Sequence, residues 1–169
     1  MTNEGSQKKI LVFNTSVVIG LFHANILEKL VNYRDYAGHN VELILPNKVF
    51  EELKKSRKMG EIEDLLKRIF KVLETPEEIM REIGLRKHGL GLGELSVLAV
   101  ATFLIQQETQ SSVITIIDDK RGRRATEELG LKRHGTLWMI IQLKKTWNHQ
   151  QGRGDKNCWK TSISRLPFK

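Results

Sequence analysis

Short apolar runs alternate with longer segments of helical spacing along the chain. Three apolar runs are long enough to predict buried strands, at residues 9–14, 41–45 and 112–117. A weaker run at residues 131–133 predicts a short edge strand. The segment 16–34 predicts a helix interrupted around residues 23–25. Further helical segments lie at residues 47–57, 61–72, 76–84, 95–107, 119–130 and 136–146.

This alternation predicts a three-layer α/β/α sandwich around a mostly parallel central sheet. The length of 169 residues is sufficient for one domain with a sizeable core. We expect a flexible N-terminus at residues 1–8, a folded domain at 9–147 and a basic C-terminal tail at 148–169. No apolar run approaches the roughly 18 residues of a membrane-spanning helix, so no membrane association is expected.

The charge of the chain favours a polyanionic partner. The formal net charge is +8, which makes nucleic acid the first class to consider. Half of this excess lies after Trp147, and a simply solvated tail is the alternative explanation for it. The single cysteine, Cys158, cannot form an internal disulfide, and no Cys/His spacing suggests zinc. Both facts are consistent with a reducing cytoplasm.

Polar and acidic side chains fall where the predicted strands end or the following helices begin. Asn14 ends the first strand, and Glu52 lies on the helix after the second. Glu94 is the last residue of the glycine-rich segment 88–94 and opens the next helix. Asp118 and Asp119 follow the third long strand. Because the carboxyl ends of parallel strands meet at one edge of the sheet, these side chains are expected to converge there.

Clustered oxygen ligands suit Mg²⁺ or Mn²⁺, which prefer carboxylates and retained waters. Each residue also has a purely structural alternative. Glu52 can belong to a solvated helix face, and Glu94 can complement a helix dipole. Asn14, Asp118 and Asp119 are residue types that cap helices. Their joint placement is what favours a metal site over these separate roles.

Four stretches, in order, resemble the PIN-domain family, closest to the VapC-like toxin ribonucleases whose pattern ends in Asp-Asp-x-x-x-Arg. The stretches are LVFNTSVVIGL at 11–21, LPNKVFEEL at 45–53, GLGELSVLAVA at 91–101 and IIDDKRGRRATEELGL at 116–131, followed by HGTLWMI at 134–140. The resemblance covers about residues 9–147. It implies Mg²⁺- or Mn²⁺-dependent cleavage of RNA. It also implies a cognate antitoxin protein and a homodimer.

The resemblance assigns roles by position in the motifs. Asn14 stands where the family has its first Asp, and Ser16 matches a hydroxyl that supports the site. Metal ligands are then expected to be Asn14, Glu52, Glu94 and Asp119, with Asp118 assisting catalysis beside them. Arg121 and Arg124, together with Ser16, are the candidates for contact with nucleic acid.

Asn14 departs from the family pattern. An amide offers a carbonyl oxygen but no negative charge, so weakened nuclease activity is expected. Losing one preorganised electrostatic contact often costs roughly 3–4 kcal/mol of transition-state stabilisation. Two alternatives stay open at this point. One is a catalytically degenerate PIN domain that binds RNA or a protein, and the other is a scaffold that binds protein alone.

Overall fold

The computed structural model describes residues 7–55, 62–87, 89–107 and 111–150. The described residues form five strands: β1 (Lys9–Phe13), β2 (Val41–Pro46), β3 (Lys71–Leu73), β4 (Ser112–Ile116) and β5 (Lys132–His134). They also form eight α-helices: α1 (Thr15–His23), α2 (Lys29–Ala37), α3 (Asn47–Lys55), α4 (Glu63–Ile69), α5 (Glu77–Arg86), α6 (Leu92–Gln107), α7 (Lys120–Glu128) and α8 (Thr136–Gln150).

The five strands form one parallel sheet in the order β3-β2-β1-β4-β5. β1 is central, and Leu11 pairs with Leu43 on one side and Ile114 on the other. The chain proceeds outward from β1 in one direction through β2 and β3, and in the other through β4 and β5. The strand order therefore reverses between β1 and β4, which is where open α/β sheets form their ligand crevice.

Helices cover the sheet to give the expected three-layer α/β/α fold. α6 packs against β1, β2 and β4, with α3 and α5 beside it, while α2 packs against β2, with α4 and α8 beside it. The central strands are buried along almost their whole length, as both-sided coverage of a parallel sheet requires. Along α6, eight residues are buried, which explains why its sequence has little polar face.

The sequence located most elements within a few residues, and one prediction was wrong. Residues 71–73 form strand β3 and not the end of a helix over 61–72. The helix stops at Ile69, and the following residues pair with β2 from Ile44 onward. The break expected around residues 23–25 is confirmed, because α1 ends at His23 and Asn25 adopts a positive φ of 55°.

Two helices extend beyond their expected limits. α6 begins at Leu92, inside the segment expected to be a loop, and α8 continues to Gln150 instead of ending near residue 146. The expectations for a flexible start and for a basic tail fall largely on residues 1–6 and 151–169, which lie outside the described residues. Within the described ranges, no helix combines the length and hydrophobicity needed to cross a bilayer.

Candidate metal and nucleic-acid site

An open cleft of about 810 Å³ lies at the carboxyl edge of the sheet, beside the point where the strand order reverses. We call it the acidic cleft. Its lining includes three carboxylates, those of Glu52, Glu94 and Asp119. The remaining lining residues are Asn14, Thr15, Ser16, Ile19, Gly89, Leu90, Gly91, Leu92, Gly93 and Arg121. Asn14, Ser16, Arg121 and the three acids were candidate site residues from the sequence.

Asn14 follows the last residue of β1 and precedes the first residue of α1. Its backbone N–H donates to Ile116 O at 3.1 Å, which extends the β1–β4 pairing to the rim of the cleft. The side chain is only 5% exposed and makes no capping bond to the helix. Its Nδ2 donates to Ser16 Oγ at a long 3.4 Å. A simple helix-capping role therefore does not account for Asn14.

Glu52 is oriented from α3 by a residue at the start of α1. Thr15 Oγ1 donates a hydrogen bond of 2.7 Å to Glu52 Oε2. A Cβ built on Gly93 would lie 2.5 Å from that same oxygen and 3.5 Å from Asn14 Oδ1. Glu52 and Asn14 thus approach the same point above Gly93. The backbone of α6 can come this close only because residue 93 has no side chain.

Glu94 lies in the first turn of α6, where Gly91 N donates to Glu94 Oε2 at 2.9 Å. Asp119 is the N-cap of α7, and its Oδ2 accepts from Arg121 N at 2.7 Å and Gly122 N at 3.2 Å. Glu94 and Asp119 therefore each lie at a helix terminus and also line the acidic cleft. A cap needs one carboxylate oxygen, so it does not exclude a ligand role for the residue.

Glu94 and Asp119 interact directly, and their acidities diverge. Burial raises the pKa of Glu94, and the neighbouring Asp119 raises it further, while the Gly91 N–H acts in the opposite direction. Burial would also raise the pKa of Asp119. The N–H groups of Gly122 and Arg121 and the contact with Glu94 outweigh that effect and lower it. Because like charges repel, joint ionisation of these two neighbouring carboxyl groups is disfavoured, and a bound cation would offset the repulsion.

Asp118 lies outside the acidic cleft, contrary to the expectation that it assists the cluster. Thr136 N donates to Asp118 Oδ1 at 2.9 Å, and the Thr136 hydroxyl donates to Oδ2. Both carboxylate oxygens therefore bind the first residue of α8. An added Cβ at Gly135 would lie 2.4 Å from Asp118 Oδ1, so glycine leaves the room for this contact. The position of Asp118 indicates a structural role.

The two arginines proposed to contact nucleic acid have different surroundings. Arg121 lines the cleft, and its Nη1 donates to Gly89 O at 3.0 Å. Arg124 lies beyond the cleft, where its Nε donates to Glu128 Oε1 at 2.9 Å. Thr15 and Gly93 are site residues that were not predicted from the sequence. Their positions, directly after Asn14 and directly before Glu94, were the available signals.

The cleft suits a hydrated hard cation better than a cation enclosed by protein ligands. Among the described residues, no three His, Cys, Asp or Glu side chains form a ready set of metal ligands. The oxygen donors fall into two pairs, Asn14 with Glu52 and Glu94 with Asp119. Mg²⁺ commonly binds through one or two carboxylates and keeps several waters, so an all-oxygen cleft of this kind fits it.

The chain belongs to the PIN-domain family: the family model for a PIN domain matches residues 10–150. That range contains every described strand and helix except the first residue of β1. No curated protein matches the chain at a significant level. The family supports a nuclease-like fold, in agreement with the position of the acidic cleft.

Proposed function

We propose that this chain is a metal-dependent endoribonuclease of the PIN type, weakened by the amide at Asn14. The observation that carries the proposal is the meeting of Glu52, Glu94, Asp119 and the Asn14 amide in one open cleft where the strand order reverses. Net charge of +8 on the whole chain supports a polyanionic substrate despite the acids in the cleft. Mg²⁺ or Mn²⁺ would supply charge neutralisation and an activated water.

The chain contributes fixed carboxylate positions to this chemistry. Thr15 anchors Glu52, Gly91 anchors Glu94, and the start of α7 anchors Asp119, each through one named oxygen. Such anchoring orients the groups before a ligand binds, so less ordering is required when it does. Asn14 Oδ1 is available as a neutral donor beside Glu52, without the charge that an aspartate would bring.

More specifically, we propose that the chain acts as the toxin of a type II toxin–antitoxin pair. It rests on the VapC-like motif pattern, which implies a cognate antitoxin and a homodimer. A cytoplasmic location is proposed separately, from the single cysteine. A catalytically degenerate PIN domain that binds RNA or protein is the second candidate, and Asn14 is the specific observation that favours it. Both candidates share the fold and the cleft and differ in whether the chain cleaves RNA.

Metal binding and RNA cleavage, measured together, test the proposal. We expect Mn²⁺ to raise the Tm of the chain, since a ligand that binds only the native state stabilises it by mass action. Glu94→Gln should reduce that rise. With enzyme in excess over single-stranded RNA, slow cleavage should require Mn²⁺ and be lost in Glu94→Gln. If Mn²⁺ raises Tm but no cleavage occurs, the binding module is the better description. If Mn²⁺ does neither, the metal site is wrong.

A further inference from the structure

A second, smaller cavity of about 280 Å³ adjoins the acidic cleft. Leu90 and Arg121 line both cavities, so the two lie next to each other. The other lining residues of this cavity, which we call the basic groove, are Arg86, Lys87, Arg124, Ala125 and Glu128. The groove runs from the C-terminal end of α5 to the exposed side of α7.

The two cavities have opposite charge. Among the described residues, four basic side chains and one acid line the groove, whereas three acids and one base line the cleft. Arg121 is the shared base. Suppose that one phosphodiester of a polyanionic chain lies in the cleft, where a metal cation would neutralise the carboxylates. The neighbouring phosphates would then lie beside the basic side chains of the groove.

The basic side chains of the groove differ in how strongly the protein holds them. Lys87 is 23% exposed and pairs with Glu128, which joins α5 to α7. The Arg124 side chain is 83% exposed and the Arg86 side chain 68% exposed. Arg124 also pairs with Glu128, and Arg86 pairs with Glu82 within α5. Exposed i,i+4 pairs of this kind are weak, so both arginines can exchange their partner for a phosphate at little cost.

Glu128 is the one acid among the described lining residues, and it binds both Lys87 and Arg124. Its pKa is held below the ordinary value by those two contacts, so it is ionised at neutral pH. Glu128 therefore opposes any anion in the groove. It lies at the C-terminal end of α7, where a negative charge is unfavourable to the helix dipole.

We propose that the basic groove binds the phosphates of single-stranded RNA next to the bond held in the acidic cleft. This inference rests on the proposed nuclease or RNA-binding function and adds the path of the substrate. No aromatic residue occurs among the described lining residues. Contact through charge alone positions a strand without distinguishing its bases, so the groove supplies affinity and direction, not sequence specificity.

The test measures binding of fluorescein-labelled oligouridylate to the full chain by fluorescence anisotropy, over a series of salt concentrations in EDTA. Arg86→Gln/Arg124→Gln should raise Kd and flatten the slope of log K against log salt. The slope should change by roughly 0.7 for each phosphate that the variant no longer neutralises. The matched control, Lys67→Gln/Arg68→Gln, removes the same charge from α4, where Lys67 forms an i,i+4 pair with Glu63. It should leave the slope unchanged.

Glu128→Gln provides the opposite change. It frees Lys87 and Arg124, so RNA should bind more tightly and with a steeper salt dependence. A purely structural role of Glu128 predicts weaker or unaltered binding. Equal effects of the groove variant and its control would overturn the proposal, and so would a Glu128→Gln variant that binds no better. Circular dichroism of each variant confirms that it is folded.

An acidic protein segment is the competing occupant of the groove. If polyglutamate binding depends on Arg86 and Arg124 while RNA binding does not, the groove is a protein site and the proposal is wrong. EDTA separates this test from the proposed function, because RNA binding is measured without metal-dependent cleavage. Conversely, if Arg86→Gln/Arg124→Gln cleaves RNA with an unaltered KM, the proposal that the groove binds RNA is wrong. The proposed nuclease function would then still hold.

Discussion

Gly93 determines how closely α6 approaches the residues that follow β1 and β2. Glu52 Oε2, Thr15 Oγ1 and Asn14 Oδ1 are the three nearest atoms to the position that a Cβ at residue 93 would occupy. The nearest is Glu52 Oε2 at 2.5 Å, the far end of a flexible side chain. The absence of a side chain at Gly93 therefore allows Glu52 to stay in the acidic cleft with its Thr15 hydrogen bond intact.

Gly93→Ala should displace Glu52 without unfolding the chain. Alanine favours helix over glycine by about 1 kcal/mol, which offsets the local crowding. We expect nearly unchanged Tm without metal and a smaller rise in Tm with Mn²⁺. Gly91→Ala is the matched control, because its Cβ would lie 3.8 Å from Glu94 Oε2, an ordinary contact. A full Mn²⁺ response in Gly93→Ala would show that Glu52 does not contribute to metal affinity.

At the scale of single residues, the positions of the strand ends predicted that Glu52, Glu94 and Asp119 converge, but they also placed Asp118 beside Asp119 in the cleft. Two consecutive residues after a strand point in different directions, and the next contacts of the chain decide which enters the cleft. Here Thr136, 18 residues away from Asp118 in the chain, binds both of its oxygens. A contact over that separation leaves no local pattern in the sequence.

Among the elements, three neighbouring strands are joined by charge at the edge opposite the acidic cleft. Glu42 on β2 pairs with Lys8, just before β1, at 2.7 Å, and with Lys71, at the start of β3, at 2.9 Å. Burial would raise the pKa of Glu42, but the hydrogen bonds and charges of Lys8 and Lys71 lower it overall. The cluster therefore stabilises the fold only while Glu42 is ionised.

Glu42→Gln should lower the free energy of unfolding at neutral pH by about 1 kcal/mol or less, since the pairs are partly exposed. A carboxyl whose pKa is lowered on folding contributes stability above its unfolded pKa, near 4.5. That contribution is lost as pH falls through the folded pKa. Urea unfolding of both proteins at pH 7 and at about pH 3 measures the difference. A difference that persists undiminished in acid would contradict the ionic origin.

Strand β3 could not be predicted from the local pattern of apolar residues. Its three residues, Lys71–Leu73, continue directly from the apolar spacing of α4 and carry no alternation of their own. They form a strand because Ile44, Leu45 and Pro46 of β2 offer backbone pairing partners. The long strands and the buried α6 were predictable because their apolar residues report burial directly. A short edge strand depends on partners elsewhere in the chain.

For the whole molecule, a parallel sheet with its order reversed between β1 and β4 places acids from three regions of sequence in one cleft. The alternation of strands and helices was sufficient to predict this architecture, since parallel strands require crossover connections. The basic groove was not predicted as a unit. Arg86 and Arg124 lie 38 positions apart, and only the packing of α5 and α7 about the cleft brings them together.

The basic C-terminal tail is expected to add RNA affinity to the whole molecule without adding stability. Residues 151–169 lie outside the described residues and carry a formal charge of +4, while the PIN-domain match ends at residue 150. Truncation after Gln150 should leave Tm unchanged and flatten the salt dependence of RNA binding, because fewer phosphates are neutralised. Tm and anisotropy titrations of both lengths measure this. A large loss of Tm would show that the tail is structural.

The central claim is that the acidic cleft performs metal-dependent RNA cleavage and that Asn14 limits it. The replacement Asn14→Asp restores a carboxylate at a site 5% exposed, and Ser16, which now accepts from the amide, can donate to the new oxygen instead. The most direct measurement is the single-turnover rate of RNA cleavage in Mn²⁺ for the chain and for Asn14→Asp, side by side. We predict that Asn14→Asp is faster by roughly 100-fold or more, the effect of one preorganised electrostatic contact. Equal rates, or no cleavage by either protein, would contradict the claim.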